Sequence, residues 1–346
     1  MFIYFSLFLI ITISYLNELF MAIIFNKKSL FHRTTLFKMI AILVVFLFLA
    51  FRYNNGWDYM QYFYTITNYT ETNIVTRGEY LNNLLIILSR YLNSPIYYFL
   101  INAAIQIFGL SFVCLKYSQN FWLSFLLYIS YPLFYLNSFS VVRMMTAVVI
   151  IFIGYHFLRQ KKIGKFLLII VIASGFHMSA LMALCFIPVT LLVFNRKIIF
   201  FLGISSFFLI NLISFVVTNF FPVYQVYLNR SESIEGTKAI FILLAIAMLA
   251  FFNIERFQNN LSFKLFIVGL IIYISFFGYG TISHRLSLYG TIFSILVVPD
   301  LVEKILFKYR LVLLILYIPI CFFMFYYSLQ LGSQTFIPYN FFFRFN

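Results

Sequence analysis

Charge is scarce in this chain. Charged residues make up 10% of 346 positions, and only nine of them are acids against 24 bases. A soluble domain carries about 25% charged residues, so this sequence has too little polar surface to stay dissolved. Cysteine is scarce as well. Cys114, Cys185 and Cys321 each lie alone in an apolar run. That spacing excludes a disulfide framework, a zinc knuckle and a dithiol redox motif, and the three read as small apolar fillers. Four histidines and nine acids form no metal-ligand pattern, and no metal is expected. No glycine-rich phosphate loop or dinucleotide turn occurs. These absences exclude a nucleotide-driven pump and an enzyme that takes cytoplasmic nucleotide sugars.

What the chain has instead is apolar length. Hydrophobic residues reach 64%, mean hydropathy is +0.99, and Phe (49) and Tyr (26) are abundant. Runs of about 20 apolar residues recur, the length that crosses a ~30 Å hydrocarbon core. In lipid the backbone must bond within itself, so such runs are helices. The expected fold class is all-α: a single polytopic membrane domain over residues 1–346, with about 10–12 transmembrane helices. Candidate spans are 2–25, 36–51, 96–115, 121–137, 141–158, 166–193, 198–220, 239–253, 263–278, 285–299 and 311–329. The first is too long for a signal-peptide core and reads as a retained span. The net charge of +15 sits in short clusters between runs, where orientation and anionic lipid account for it. Nucleic acid is excluded as a partner.

Three basic clusters set the orientation. They are Lys27, Lys28, Arg33 and Lys38; Arg159, Lys161, Lys162 and Lys165; and Lys304, Lys308 and Arg310. Placed in the cytoplasm, they leave the N-terminus, 52–80, 221–238 and 279–285 on the outer side. The 52–80 loop is the conspicuous polar interval, with Asp58, Glu71 and Glu79. Residues 79–92 fit a short helix at the outer interface. The 166–193 run has bases at both ends and 28 residues between, too few for two full spans. A pair of short helices broken or re-entrant near His177, after Ser174 and Gly175, resolves the count.

Ionisable groups inside spans cost about 2.5–3.5 kcal/mol on insertion scales and so mark function by default. Arg52, Arg143 and Arg285 each stand at an outer span end. Snorkelling explains any one of them; as a trio, their guanidinium forks suit a pyrophosphate. His177 stands at the helix break, either as a structural hydrogen-bonder or as a base. Glu18, inside the first span, reads as an inward partner to a base or to backbone. His156 reads as interfacial.

Arg52, Gly56, Asp58, Tyr59 and Tyr62 together make R-x-x-x-G-x-D-Y-x-x-Y. This resembles the signature of EpsG-like proteins, which belong with the Wzy-type polymerases of bacterial surface polysaccharides. Arg77 to Tyr80 resembles the family's glutamate-containing segment, and Ser140 to Arg143 with Ala147 its arginine-led span. Lys165-Phe166 through His177, Ser179 and Ala180 is similar to its K-(F/Y)…A…F-H-x-S-A piece. Arg285 to Tyr289 resembles its late R-x-x-x-Y. The likeness runs from about 50 to 290. The amide that usually follows the arginine is absent, since Met144 stands there.

The resemblance implies a polymerase of the bacterial inner membrane, for O antigen or a similar polymer, working at the periplasmic face. It implies transfer of a growing chain from undecaprenyl pyrophosphate onto a new lipid-linked repeat. No cofactor is required. Its partners would be the two undecaprenyl-linked oligosaccharides, membrane lipid and a polysaccharide chain-length regulator. Arg52, Arg143 and Arg285 suit the leaving pyrophosphate. Asp58, Glu79 and His177 are the candidate bases for the acceptor hydroxyl, with Asp58 first. Tyr59, Tyr62 and Tyr289 are candidate sugar contacts. The rival readings are a flippase of lipid-linked oligosaccharide, an O-antigen ligase and another polyprenyl-dependent glycosyltransferase.

Overall fold

The computed structural model describes residues 1–24, 35–68, 78–220, 238–277, 279, 281–304 and 310–344. Glu71, Arg77, the bases Lys27, Lys28, Arg33 and Lys308, and nearly all of the outer 221–238 segment lie outside the described residues. Within them the protein is all-α. The only extended pairing among the described residues is a lone antiparallel bridge between Arg52 and Phe341.

The chain divides into two compact units. The first comprises Met1–Leu181 and Leu306–Asn346, the second Met182–Ile305. In the first, α1 is Phe2–Ile24, α2 Leu36–Ala50, α3 Tyr59–Thr67, α4 Tyr80–Tyr91 and α5 Ile96–Tyr117. Then come α6 Phe121–Ser130, the single turn α7 Asn137–Ser140, α8 Val142–Arg159 and α9 Ile163–Phe176. After a 3₁₀ helix, Met178–Cys185, the second unit holds α10 Phe186–Val189, α11 Arg196–Phe220 and α12 Lys238–Phe252. It continues with α13 Ile254–Phe257, α14 Leu261–Ser275, α15 Thr281–Thr291 and α16 Ser294–Lys304. Two further helices, α17 Arg310–Leu331 and α18 Ser333–Phe336, return to the first unit.

Length and composition mark three described helices as able to cross a membrane: Phe2–Met21, Ile96–Tyr117 and Val142–Arg159. A fourth candidate is a pair, Ile282–Thr291 and Ser294–Glu303, bent by 48° where one span over 285–299 was expected. Other expected spans appear as apolar helices of 10–17 residues. One cause is visible at α6. It stops at Ser130 because Tyr131 precedes Pro132, and a residue before proline is pushed out of the α region; Tyr131 has φ −71° and ψ 130°. The 166–193 run also breaks, with His177 extended at φ −153°.

In the first unit α8 is the central element. It is buried on nearly every side, from Val142 to Leu158, as an all-round apolar helix must be. Helices α1 and α17 join through aromatic rings, Phe5 on Phe322 at 5.6 Å and Phe8 on Phe325 at 5.7 Å. Glu18 finds its expected partner in Lys38, at 2.8 Å with both buried, and takes a 2.6 Å bond from the Thr35 hydroxyl. Thr35 also caps α2. Lys38, grouped by sequence with the first basic cluster, is thus an interior residue. His156 pairs with Tyr117 and lies beside Gln160.

In the second unit α14 and α15 meet backbone to backbone. A Cβ on Gly290 would lie 2.5 Å from the Cα of Gly269, so only glycine permits this crossing. Tyr273 on α14 then reaches His284 Nδ1 on α15, 2.6 Å away.

Candidate functional site

The 51–58 segment is a tight turn with two left-handed residues, Asn54 at φ +50° and Gly56 at φ +105°. Asn tolerates that region and Gly adopts it without steric cost. A Cβ at residue 56 would also run into the Phe139 carbonyl. The glycine therefore lets the turn sit flush on α7, where the Trp57 N–H donates to Ser140 Oγ at 3.1 Å. The C-terminus covers the opposite side. Tyr53 N–H donates to the Asn340 carbonyl at 2.8 Å, and Phe342 N–H to the Phe51 carbonyl at 2.8 Å. Asn55 donates to the carbonyls of Phe336 (3.0 Å) and Pro338 (2.9 Å) and accepts from Asn340 N–H at 3.0 Å.

Arg52 lies at the centre of this clasp, 1% exposed. Its guanidinium donates to the Leu49 carbonyl and, at longer range, to those of Ser138 (3.5 Å) and Phe139 (3.3 Å). The rings of Phe99, Phe139 and Tyr59 surround it at 4.9, 5.1 and 5.8 Å. Burial pulls its pKa down, and carbonyl dipoles with π faces offset part of that cost. Tyr59 is likewise fully buried, stacked on Phe99 at 4.3 Å. Neither side chain has a surface to offer a pyrophosphate or a sugar in this conformation. Their place is the wall that holds the turn.

A second constellation lies beside this wall. Glu79 occupies the N-cap position of α4 yet makes no capping bond. Its carboxylate turns to α8 and pairs with Arg143 through Oε2. Its other oxygen faces His177 Nδ1 at 3.6 Å. Arg143 Nε donates to the Tyr62 hydroxyl at 3.4 Å, with the guanidinium 5.7 Å from that ring. Glu79 is buried, while the Arg143 and His177 side chains keep 22% and 26% of their surface. Burial raises the Tyr62 phenol pKa, Arg143 lowers it, and the charge of Asp58 raises it further. Asp58 is thus electrostatically part of this group, half-exposed at the start of α3. Because Arg143 opens α8, the helix dipole opposes its charge, and Glu79 offsets both.

A buried polar ladder supports the group. Tyr98 donates to Asn82 at 2.8 Å. Thr146, one turn below Val142, donates to Asn102 at 2.7 Å. Gln106 donates to Thr146 at 2.9 Å and to the Val142 carbonyl at 3.0 Å. The first bond ties α5 to α4; the others tie α5 to α8 and fix the rotation of α8 that aims Arg143 at Glu79.

Of the residues singled out in the sequence, the first unit brings Glu79, Arg143, His177, Tyr62 and Asp58 together. It sets Arg52 and Tyr59 in the adjoining wall. Arg285, exposed on α15, and Tyr289, buried there, belong to the second unit. Sequence reasoning missed Asn55, the 333–344 strap and the Asn102–Gln106–Thr146 ladder. The i, i+4 spacing of Asn102 and Gln106 in an apolar span was the available signal for the ladder. Among the described residues no His/Cys/Asp/Glu group is arranged to hold a metal.

A model of the EpsG family matches residues 35–341, from the start of α2 into the strap. No curated protein and no solved structure matches the chain.

Proposed function

The chain belongs to the EpsG family, and from that premise we propose that it is an inner-membrane polysaccharide polymerase. Membership itself supports a membrane glycosyltransferase-type polymerase; the donor, the face and the roles below are our reading. The growing polymer leaves undecaprenyl pyrophosphate at the periplasmic face and joins a new lipid-linked repeat. The bond from the anomeric carbon to the pyrophosphate oxygen breaks, and the leaving lipid pyrophosphate keeps the electron pair. The acceptor hydroxyl oxygen forms the new glycosidic bond and gives up its proton.

The observation that carries this reading is Glu79 held between Arg143 and His177. An imidazole backed by a carboxylate is the arrangement of a positioned general base. Once Glu79 accepts from Nδ1–H and so orients the ring, His177 takes the hydroxyl proton at Nε2. Arg143, at the N-terminus of α8, offers guanidinium and helix dipole together to a phosphate. Asp58 and Tyr62 flank them as sugar contacts. We therefore place the base at His177 ahead of Asp58.

Deleting the gene in its host and resolving the surface polysaccharide on a gel tests the class of function. We expect carrier bearing single repeats and no polymer. Loss of single-repeat product on the outer face as well would point to a flippase and overturn the proposal. Complementation with His177→Gln or Glu79→Gln should restore membrane protein without polymer. Wild-type polymer from His177→Gln would remove it as base.

A further inference from the structure

The two oxygens of Glu79 face different side chains, Arg143 and His177, and His177 Nδ1 faces two different kinds of partner. Toward Nδ1 point Glu79 Oε1 at 3.6 Å, the Ser179 N–H at 3.4 Å and the Ser179 hydroxyl at 3.3 Å. The carboxylate can only accept from this nitrogen, and the amide can only donate to it. A distance of 3.6 Å is too long for a hydrogen bond, whereas Glu79 Oε2 is in close contact with Arg143. As they stand, then, Oε2 is paired with Arg143 and Oε1 is beyond hydrogen-bond reach of Nδ1. An unprotonated Nδ1 facing the Ser179 amide is the favoured neutral form of His177. In that tautomer the proton is on Nε2, and Nε2 cannot act as a base.

We propose that phosphate binding at Arg143 switches His177 into its basic tautomer by releasing Glu79. The inference rests on the reading of His177 as base. A pyrophosphate competes for the same guanidinium with more charge and more acceptor oxygens than a carboxylate. Glu79 then closes on His177, Nδ1–H donates to it, and the Ser179 contact is given up. The proton leaves Nε2 through solvent as Nδ1 gains one, so the ring stays neutral and Nε2 becomes basic. The base is therefore armed only when a pyrophosphate-linked donor is in place, which guards the acceptor hydroxyl against idle deprotonation. Among the described residues, the charged and titratable groups around the switch include Arg143, Tyr62 and Asp58, with Tyr98 and Arg52 behind them.

Ring tautomers are distinguished by nitrogen and carbon chemical shifts, so the switch can be read without turnover. The full chain in nanodiscs, labelled at histidine and held at a pH where the imidazole is neutral, is titrated with inorganic pyrophosphate. The expected result is a change of His177 from the Nε2–H to the Nδ1–H form. Arg143→Gln should show the Nδ1–H form without any ligand. Glu79→Gln should keep the Nε2–H form at every pyrophosphate concentration. An unchanged His177 signal in wild type, or a pyrophosphate response in Glu79→Gln equal to that of wild type, overturns the proposal. Should His177→Gln polymerise normally while the tautomer still switches, the base assignment fails and the coupling stands. Should His177→Gln be inactive and the tautomer never switch, the coupling alone fails.

Discussion

Arg52 and Arg143 are the same residue type at comparable places, each at the end of an apolar helix, and they have opposite surroundings. Arg52 is sealed among carbonyls and rings. Arg143 keeps some exposure and faces a carboxylate, a phenol and, through Glu79, an imidazole. A guanidinium among neutral dipoles holds a shape. One sharing an acid with a titratable base can move charge. The difference between scaffold and chemistry lies in what surrounds the side chain, and the comparison can be tested from its larger effects to its smaller ones.

The largest effect belongs to the scaffold side. Gly56→Ala puts a methyl into the Phe139 carbonyl at a φ that L-residues avoid. We expect no folded protein in the membrane, measured by protease resistance and yield; a normal yield would show that the turn is not wedged on α7. Next is His177→Gln, on the chemical side. Polymerisation should fall about 10²- to 10⁴-fold at an unchanged unfolding temperature, and a parallel fall in Tm would move His177 to the scaffold. Arg52→Lys should do the reverse. Lysine loses the planar fork, and stability should drop by about 3 kcal/mol, read from thermal unfolding, with turnover per folded molecule retained. Asn55→Ala removes three bonds to the strap and should cost about 1–3 kcal/mol. The smallest effect is Tyr98→Phe, which deletes the bond to Asn82 at about 1 kcal/mol and should lower turnover only slightly.

Legibility follows the same division. The break at His177 was readable because a Ser-Gly pair and a histidine sit inside a span, where lipid tolerates them only if protein or water covers the broken helix. That Glu18 turns inward was readable because an acid in lipid must find a partner, but that the partner is Lys38 was not, since Lys38 was grouped with the cytoplasmic bases. Arg52 and Tyr59 were expected to face a ligand and are buried instead, for a definite reason. Their signature spacing identifies a shared structure, and spacing does not reveal which members face inward. Glu79 was read as a candidate base, yet an acid at a helix start can equally be a cap. Only its geometry, at the N-cap position with the carboxylate turned to α8, separates the two. The strap was illegible because main-chain bonds such as Tyr53 N–H to the Asn340 carbonyl carry no side-chain signature.

Apolar run length by itself determined that this is a multi-helix membrane protein, because lipid leaves the backbone no partner but its own helix. The order of the motifs along the chain determined the family. Which arginine is sealed into the wall and which shares a carboxylate with a histidine was decided only when α4, α8 and the end of α9 met. The energy of a buried charge depends on the few ångströms around it, and those neighbours come from segments 64 and 98 residues away from Glu79, at Arg143 and His177.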